Sequence, residues 1–275
     1  MEKDSPYCLI CRSKTPIYLK GKNYTIYRCS NCGLGRTVGT NQQNESYHRD
    51  ECYQAFERQF ANIFQRRINL VGKYSSKAGK VLEIGSSTGV MLSLFQKLGW
   101  EVLGIEVSLA SARKSQEKGI VTIIDYFEKV RLPNQSFDLV ILNHTLEHLI
   151  SPIEVLQKVN KLLKKDGLLL IDVPNFGSLS AKIWGGNWPY LLPQEHLWHF
   201  TDKALKKMLP KLRFKILRLS YPSGIWDYGN PWLELWQSFF TLKKRFFTNF
   251  LTLIPALVVT LLGKGTSLTV IASKK

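Results

Sequence analysis

The chain has 275 residues, 44% of them hydrophobic, and a formal net charge of +17 at pH 7. That hydrophobic content excludes a disordered chain, and the length suits one α/β domain with a small accessory module. The strong positive charge favours anionic partners: nucleic acid, an acidic membrane surface or a phosphorylated small molecule. Residues 1–20 lack the apolar core of a secretory signal, which predicts a cytoplasmic protein.

Two C-x-x-C pairs lie near the start of the chain, separated by 17 residues. Four thiolates at this spacing can surround one Zn²⁺ tetrahedrally, in a closed site with a structural role. In a reducing compartment such pairs favour a metal site over disulfides. We therefore predict a zinc ribbon over residues 1–45, and we expect Cys52, outside the pattern, to be a buried apolar residue. The predicted zinc ligands are Cys8, Cys11, Cys29 and Cys32.

The pattern then changes to helical and afterwards to α/β. Residues 46–78 carry apolar side chains at helical spacing, which predicts an amphipathic linker helix packed on the following domain. From residue 79 to 275 short apolar runs alternate with helical segments, which predicts a Rossmann-like parallel sheet with helices on both faces. The predicted strands are 81–85, 102–106, 121–124, 137–143, 168–174, 214–220 and 267–273, and the predicted helices between them include 89–98, 109–118 and 152–164.

An unusual insertion occupies residues 225–265, between the last two predicted strands. It holds three tryptophans, a basic cluster and the apolar stretch 250–263, which Pro255 interrupts and which is too short for one straight transmembrane helix. Residues 201–275 carry 13 Lys and Arg against 3 Asp and Glu. The insertion is therefore expected either to dock on an anionic membrane surface, at its inner face, or to form an oligomer contact or helical cover.

A small-residue turn from Glu83 to Gly89 falls where a strand ends and a helix begins, and Glu106 follows Glu83 by 23 residues. Such a turn lets the backbone approach a ligand closely at a helix N-terminus, and the carboxylate can accept hydrogen bonds from ribose hydroxyls. Dinucleotide oxidoreductases use similar elements, but their G-x-G-x-x-G spacing is not met here.

The runs E-I-G-S-S-T-G, G-I-E-V-S, F-D-L-V-I-L-N-H-T-L-E-H-L and L-L-K-K-D-G-L-L-L-I-D-V-P-N resemble class I S-adenosylmethionine-dependent methyltransferases of the ubiquinone-biosynthesis and sugar-methylation type. The resemblance covers about residues 80–222 and implies S-adenosylmethionine as cofactor. It implies that Gly85 and Gly89 bracket the methionine part, Glu106 holds the ribose, Asp125 lies near the adenine amino group, and Asn143 and His144 lie beside the methyl donor. The implied cofactor-binding residues are Glu83, Gly85, Ser86, Ser87, Gly89, Glu106, Asp125 and Asn143.

One position departs from the family: Ser87 stands where the turn usually has glycine. A serine fits if its backbone angles stay ordinary, and cofactor affinity could fall without being lost. The departure leaves open a degenerate, non-catalytic relative as an alternative function.

Two histidine-rich stretches supply the candidate catalytic groups. The first holds His144, Glu147 and His148, and the second, predicted to be a loop, holds Glu195, His196 and His199. An imidazole of near-neutral pKa is suited to removing the acceptor's proton. The second stretch resembles the Glu–His pattern of zinc-ribbon sugar methyltransferases, which implies His196 as base, with Glu195 orienting it and His144 beside the methyl donor. Alternatively, His196 only hydrogen-bonds a backbone carbonyl, and the loop holds a lid over the edge of the sheet. His148 then has a capping or packing role.

The acceptor is expected to be a sugar or another small metabolite, which could be lipid-linked or nucleotide-linked. RNA is the alternative acceptor, favoured by the +17 charge. The basic residues are spread out, however, and no aromatic-plus-basic motif for single-stranded RNA is present, so nucleic acid is the less favoured partner.

Overall fold

A computed structural model describes residues 7–39, 57–75, 77–241 and 243–275. Cys52 and the first part of the predicted linker helix lie outside these ranges. The strands are β1 Ile17–Lys20, β2 Thr25–Arg28, β3 Gly35–Val38, β4 Lys80–Ile84, β5 Glu101–Glu106, β6 Val121–Ile124, β7 Phe137–Asn143, β8 Leu163–Pro174, β9 Trp198–His199, β10 Phe214–Ser220 and β11 Ser267–Lys274. The helices are α1 Glu57–Val71, α2 Val90–Lys97, α3 Leu109–Glu117, α4 Pro152–Leu162, α5 Leu179–Trp184, α6 Asp202–Lys211, α7 Pro231–Thr241 and α8 Lys243–Leu261.

All seven predicted strands form one sheet, in the order β10-β11-β8-β7-β4-β5-β6. Strands β4 to β8 run parallel to their neighbours, and β11 and β10 complete the sheet antiparallel. Helices cover both faces, so the predicted Rossmann-like α/β fold is confirmed. Because the central strands are buried on both faces, their sequences are nearly continuous apolar runs.

Strand β8 begins five residues before the predicted strand, and the predicted helix 152–164 ends at Leu162. Leu163 already pairs with Phe137 of β7, and the register then shifts before Leu168 pairs with Leu139. Asp166, within this irregular part, has a left-handed φ of 59°. The local sequence continues the helical pattern, but pairing with β7 determines the conformation.

The small N-terminal sheet contains β1, β2, β3 and, from far along the chain, β9. Gly35 of β3 pairs antiparallel with His199 of β9. Leu34, Trp198 and Phe200 belong to the same buried cluster, so the N-terminal module shares its core with the large sheet.

Helix α1 packs its apolar side on the opposite face of the large sheet. Phe64, Ile68 and Val71 belong to one buried cluster with Phe95 of α2. Helix α1 lies within residues 46–78, where the linker helix is predicted. Helices α7 and α8 occupy most of the predicted insertion, and none of the helices within the described ranges is long and apolar enough to cross a membrane.

Candidate active site

The turn after β4 depends on glycine at two positions. Gly85 and Gly89 both have a φ of +72°, a left-handed conformation that favours glycine. A Cβ at Gly85 would lie 2.6 Å from Thr145 Oγ1, and one at Gly89 would lie 2.4 Å from Ser115 Oγ. Other side chains of this domain therefore pack directly against the turn backbone, as a tight strand-to-helix turn requires.

Ser87 does not keep the ordinary backbone angles expected for a serine, because its φ is +46°. A side chain in this region is strained by roughly 1–2 kcal/mol, which glycine avoids. Its amide N–H donates to Oε2 of Glu106 at 2.8 Å, and this bond holds the turn against the end of β5. The departure from the family's glycine thus carries a conformational cost.

Glu106 and Asp125 lie at the carboxyl edge of adjacent strands. Glu106 is buried, and its Oε1 accepts from the amide of Ser108 at 2.8 Å. Glu106 pairs with Ile124 of β6, so Asp125 follows at the same edge. The structure therefore brings the two implied ribose and adenine residues to one side of the turn.

A small pocket lies between the turn and helix α1, lined by residues that include Glu83, Ser86, Asn143 and Phe64. Among the described residues, Glu83 Oε2, Ser86 Oγ and Asn143 Oδ1 are buried without a hydrogen-bond partner. Burial, and next the charge of Glu106, raises the pKa of Glu83 well above its ordinary value. A cationic ligand with several hydrogen-bonding groups would satisfy this set, and S-adenosylmethionine has that chemistry. The pocket has a volume of about 20 Å³, and Phe64 of α1 is among its lining residues.

His144 directly follows β7, with a left-handed φ of +50°. Its side chain is 36% exposed, and its Nδ1 lies 3.4 Å from Oε1 of Glu147. Its Nε2 lies 3.8 Å from Oδ1 of Asp172. Burial opposes protonation, but contact with Glu147 and the two carboxylate charges outweigh it, so the pKa of His144 is raised. Strain of this kind at a strand end is characteristic of functional sites.

Glu147 and His196 lie beneath His144, and both are buried. His196 Nε2 is 4.0 Å from Glu147 Oε1, and its Nδ1 is 3.1 Å from the carbonyl oxygen of Tyr190. Burial lowers the pKa of His196 to about 4. Burial works against ionisation of Glu147, but the neighbouring histidines, His144 first, lower its pKa to about 2.

Two further residues complete this cluster. His148 Nδ1 lies 3.0 Å from the carbonyl oxygen of Glu195, whose side chain is half-buried. The ligand atoms of Glu147, His148 and His196 lie within 4.8 Å of one another, close enough to share a cation. The cluster thus brings the predicted stretches around 144 and 196 together.

His199 lies in strand β9, whereas the sequence predicted a loop. Its Nε2 is 2.8 Å from Thr37 Oγ1 of β3, and the imidazole is buried. Pairing of β9 with β3 extends this segment, because the N-terminal module supplies the backbone partners that a loop would lack. Burial lowers the pKa of His199 to about 3.

Sequence reasoning missed three charged residues beside this site. Asp172 lies at the end of β8 opposite Asn143, and it is fully buried. Arg67 of α1 contacts Asp172 Oδ2 at 2.8 Å and Asp227 Oδ1 at 2.6 Å. The available signal was the aspartate itself, since an ionisable residue inside an apolar strand requires a partner.

The four cysteines of the N-terminal module converge, although no two of them form a disulfide. The Sγ atoms of Cys8 and Cys32 are 3.6 Å apart, and those of Cys11 and Cys29 are 3.4 Å apart. A tetrahedral site with metal–sulfur bonds of about 2.3 Å places sulfurs about 3.8 Å apart. The four side chains are therefore positioned to hold one metal ion.

The Rossmann-like sheet and the glycine turn are consistent with an S-adenosylmethionine-dependent methyltransferase, and the comparison of the sequence with known families shows that the chain is one. The chain belongs to the methyltransferase domain family, whose sequence profile matches residues 53–219. This membership decides against the dinucleotide oxidoreductase that a glycine turn alone would allow.

The chain is also similar to individual relatives and, in its fold, to solved structures. A ubiquinone biosynthesis O-methyltransferase of Bradyrhizobium diazoefficiens is 27% identical over 252 residues, covering 87% of each chain. An uncharacterised protein of Methanocaldococcus jannaschii is 25% identical over 156 residues, covering 57% of this chain and 74% of the relative. The crystal structure of a methyltransferase from Archaeoglobus fulgidus superposes with a TM-score of 0.57 at 19% identity, covering 81% of this chain and 99% of that one.

Proposed function

We propose that this methyltransferase acts on a small sugar-type acceptor, either nucleotide-linked or lipid-linked. Enclosure of the histidine cluster supports the proposal. Glu147, His196 and His199 are at most 4% exposed, and β9, which carries His199, pairs with β3 of the N-terminal sheet. His144, 36% exposed, is the most accessible of the four side chains. A largely enclosed site of this kind suits a small molecule better than a polymer.

We assign the cofactor to the edge formed by the glycine turn, Glu106 and Asp125. When bound, S-adenosylmethionine supplies a methyl group already activated on a sulfonium sulfur. The chain's own part is then to hold the acceptor in line and to receive its proton. In the Glu83 pocket the buried carboxylate suits a cationic ligand, which would favour its ionised form.

His144 is the base that the geometry favours. It is partly exposed at the end of β7, and the nearby Glu147 raises its proton affinity. His196, the base expected from the sequence, lies behind Glu147 with its Nδ1 at a backbone carbonyl. In this arrangement His196 acts on the base through Glu147, and the alternative, direct proton removal by His196, is separable by kinetics.

We also propose that the four cysteines bind a structural Zn²⁺. The all-cysteine set and its sulfur separations support zinc, and a closed tetrahedral site leaves no position for substrate. One equivalent of zinc by elemental analysis, lost in Cys8→Ser, is the expected result. Purified chain without stoichiometric metal would contradict this role.

The acceptor is tested by transfer of a labelled methyl group to a panel of nucleotide sugars, lipid-linked sugars and RNA. We expect label in a sugar fraction, with the His144→Ala variant as the inactive control. Label confined to RNA would establish the alternative acceptor. Binding of S-adenosylhomocysteine without methyl transfer to any class of acceptor would favour the alternative that the chain is a non-catalytic relative of methyltransferases.

A further inference from the structure

Helices α7 and α8 present large apolar side chains to solvent. Trp232 and Trp236 of α7 are 64% and 66% exposed, and Leu251, Ile254 and Leu261 of α8 are 73%, 69% and 77% exposed. Residues 251, 254 and 261 recur at helical spacing and form one stripe. A surface helix normally turns such a stripe toward the core, so this outward orientation needs an explanation.

Contacts on the other side of α8 fix this orientation. Trp226 Nε1 donates to the carbonyl oxygen of Leu253 at 2.8 Å, which ties α8 to the turn after β10. Arg245 Nη2 lies 2.9 Å from Glu234 Oε1, which joins α8 to α7. Ala256 is the buried apolar residue of α8, and it lies against Gly224. Ala256 therefore faces the protein, while Leu251, Ile254 and Leu261 face outward.

Helix α5 also carries exposed apolar side chains. Ile183 and Trp184 are 70% and 60% exposed. The amide of Leu179, at the start of α5, donates to the carbonyl oxygen of Lys264 at 3.0 Å, just after α8 ends. We call the exposed apolar side chains of α5, α7 and α8 together the apolar face.

A basic cleft borders the apolar face. It has a volume of about 450 Å³ and is lined in part by Arg28, Lys182, Lys203 and Lys264. The three lysines are exposed. Asp202, the carboxylate in the lining, contacts the ammonium of Lys206 at 3.0 Å, so the cleft keeps a positive character.

We propose that the apolar face and its basic cleft dock this enzyme on an anionic phospholipid bilayer. Tryptophan and aliphatic side chains enter the interface between headgroups and acyl chains, and the lysines contact the anionic headgroups. A symmetric contact between two copies would bring two sets of these lysines together, which electrostatic repulsion disfavours. This docking is independent of the acceptor's identity, because it concerns a surface outside the active site.

Flotation with vesicles of phosphatidylglycerol and phosphatidylcholine tests the proposal. We expect binding to the anionic vesicles at low salt, and at least a tenfold loss in the double variant Leu251→Ser/Ile254→Ser. Lys182→Gln/Lys264→Gln is expected to weaken the salt-sensitive part of binding. Ile150→Ser, at a residue 72% exposed on the turn before α4, is the matched control and should bind as the parent does.

Binding of S-adenosylhomocysteine verifies that each variant is folded. Absence of vesicle binding by the parent chain would overturn the proposal, as would binding that the double serine variant leaves unchanged. Concentration-dependent dimerisation lost in that same variant, without vesicle binding, would assign the apolar face to a second copy instead.

Discussion

Arg67 Nη2 and Asp172 Oδ2 lie 2.8 Å apart, and both side chains are buried from solvent. The contact joins helix α1 to the end of strand β8, where Asp172 also accepts from Thr269 Oγ1 at 2.8 Å. Removing one partner of a buried ion pair leaves an uncompensated charge. This pair therefore fixes α1, which carries Phe64, beside the proposed cofactor site.

Replacement of Arg67 by methionine is expected to lower the free energy of unfolding by about 3–5 kcal/mol, because Asp172 and Asp227 would lose their buried partner. Urea denaturation measures the change. Arg58→Met, on the exposed side of the same helix, is the control and should stay within about 0.5 kcal/mol of the parent. Equal effects of the two substitutions would show that the pair contributes nothing specific.

Ser87→Gly is expected to stabilise the fold and to tighten cofactor binding. Its φ of +46° strains a serine, and glycine removes roughly 1 kcal/mol of that strain. Ser87→Val should act in the opposite direction, because a β-branched residue is poorly tolerated there. Thermal unfolding and titration with S-adenosylhomocysteine measure both effects. Weaker binding by the glycine variant would contradict the account of this turn.

The large sheet could be predicted because each of its strands is recognisable from its own short stretch of sequence. The apolar runs around Leu82, Ile105 and Leu170 mark strands without reference to distant residues. The turn at Gly85 and the carboxylate Glu106 were likewise readable from spacing, although their binding roles stay predictions. The C-x-x-C pairs predicted a cluster that the structure forms.

What the sequence did not reveal depends on contacts between distant segments. Arg67 meets Asp172 across 105 positions, and His199 is extended because Gly35 pairs with it from the N-terminal module. Nothing in the local sequence identifies Arg67 as the partner of Asp172, or Gly35 as the partner of His199. The left-handed Ser87 was missed for another reason: Glu106 holds its amide in place, and propensity alone favours ordinary angles for serine.

His144→Ala is expected to lower turnover by roughly 10²–10⁴, since it removes the proposed base. His196→Ala should lower turnover less, because His196 acts on the base through Glu147, and both variants should keep cofactor binding. Methyl transfer at saturating acceptor measures the difference. The reverse order, with His196 the more damaging loss, would return the role of base to His196.

Stability is expected to fall in mild acid. His196 and His199 have folded pKa values of about 4 and about 3, below the usual value of about 6.5, so the unfolded chain binds more protons as pH falls below 6.5. Their contribution is present above pH 6.5 and is lost toward pH 4. His196→Gln should reduce the slope of unfolding free energy against pH by up to about 1.4 kcal/mol per pH unit in that window. An unchanged slope in urea titrations would show that His196 is not held neutral.

Cys32→Ser is expected to impair turnover while leaving cofactor binding close to that of the parent. Loss of the metal site would loosen the module whose strand β3 holds His199 over the cluster, whereas the glycine turn lies in the large sheet. Paired assays of methyl transfer and S-adenosylhomocysteine affinity separate the two effects. Ser30→Ala, at an exposed residue of the same module, is the control. Loss of both properties together would contradict this division.

Calorimetric titration of the zinc-loaded protein with S-adenosylhomocysteine tests the cofactor site most directly. We predict binding in the micromolar range that Glu106→Ala weakens at least tenfold, while Glu101→Ala, at the exposed start of the same strand, leaves it unchanged. Equal affinity of the Glu106 variant, or no binding by the parent chain, would contradict the cofactor site described for this methyltransferase.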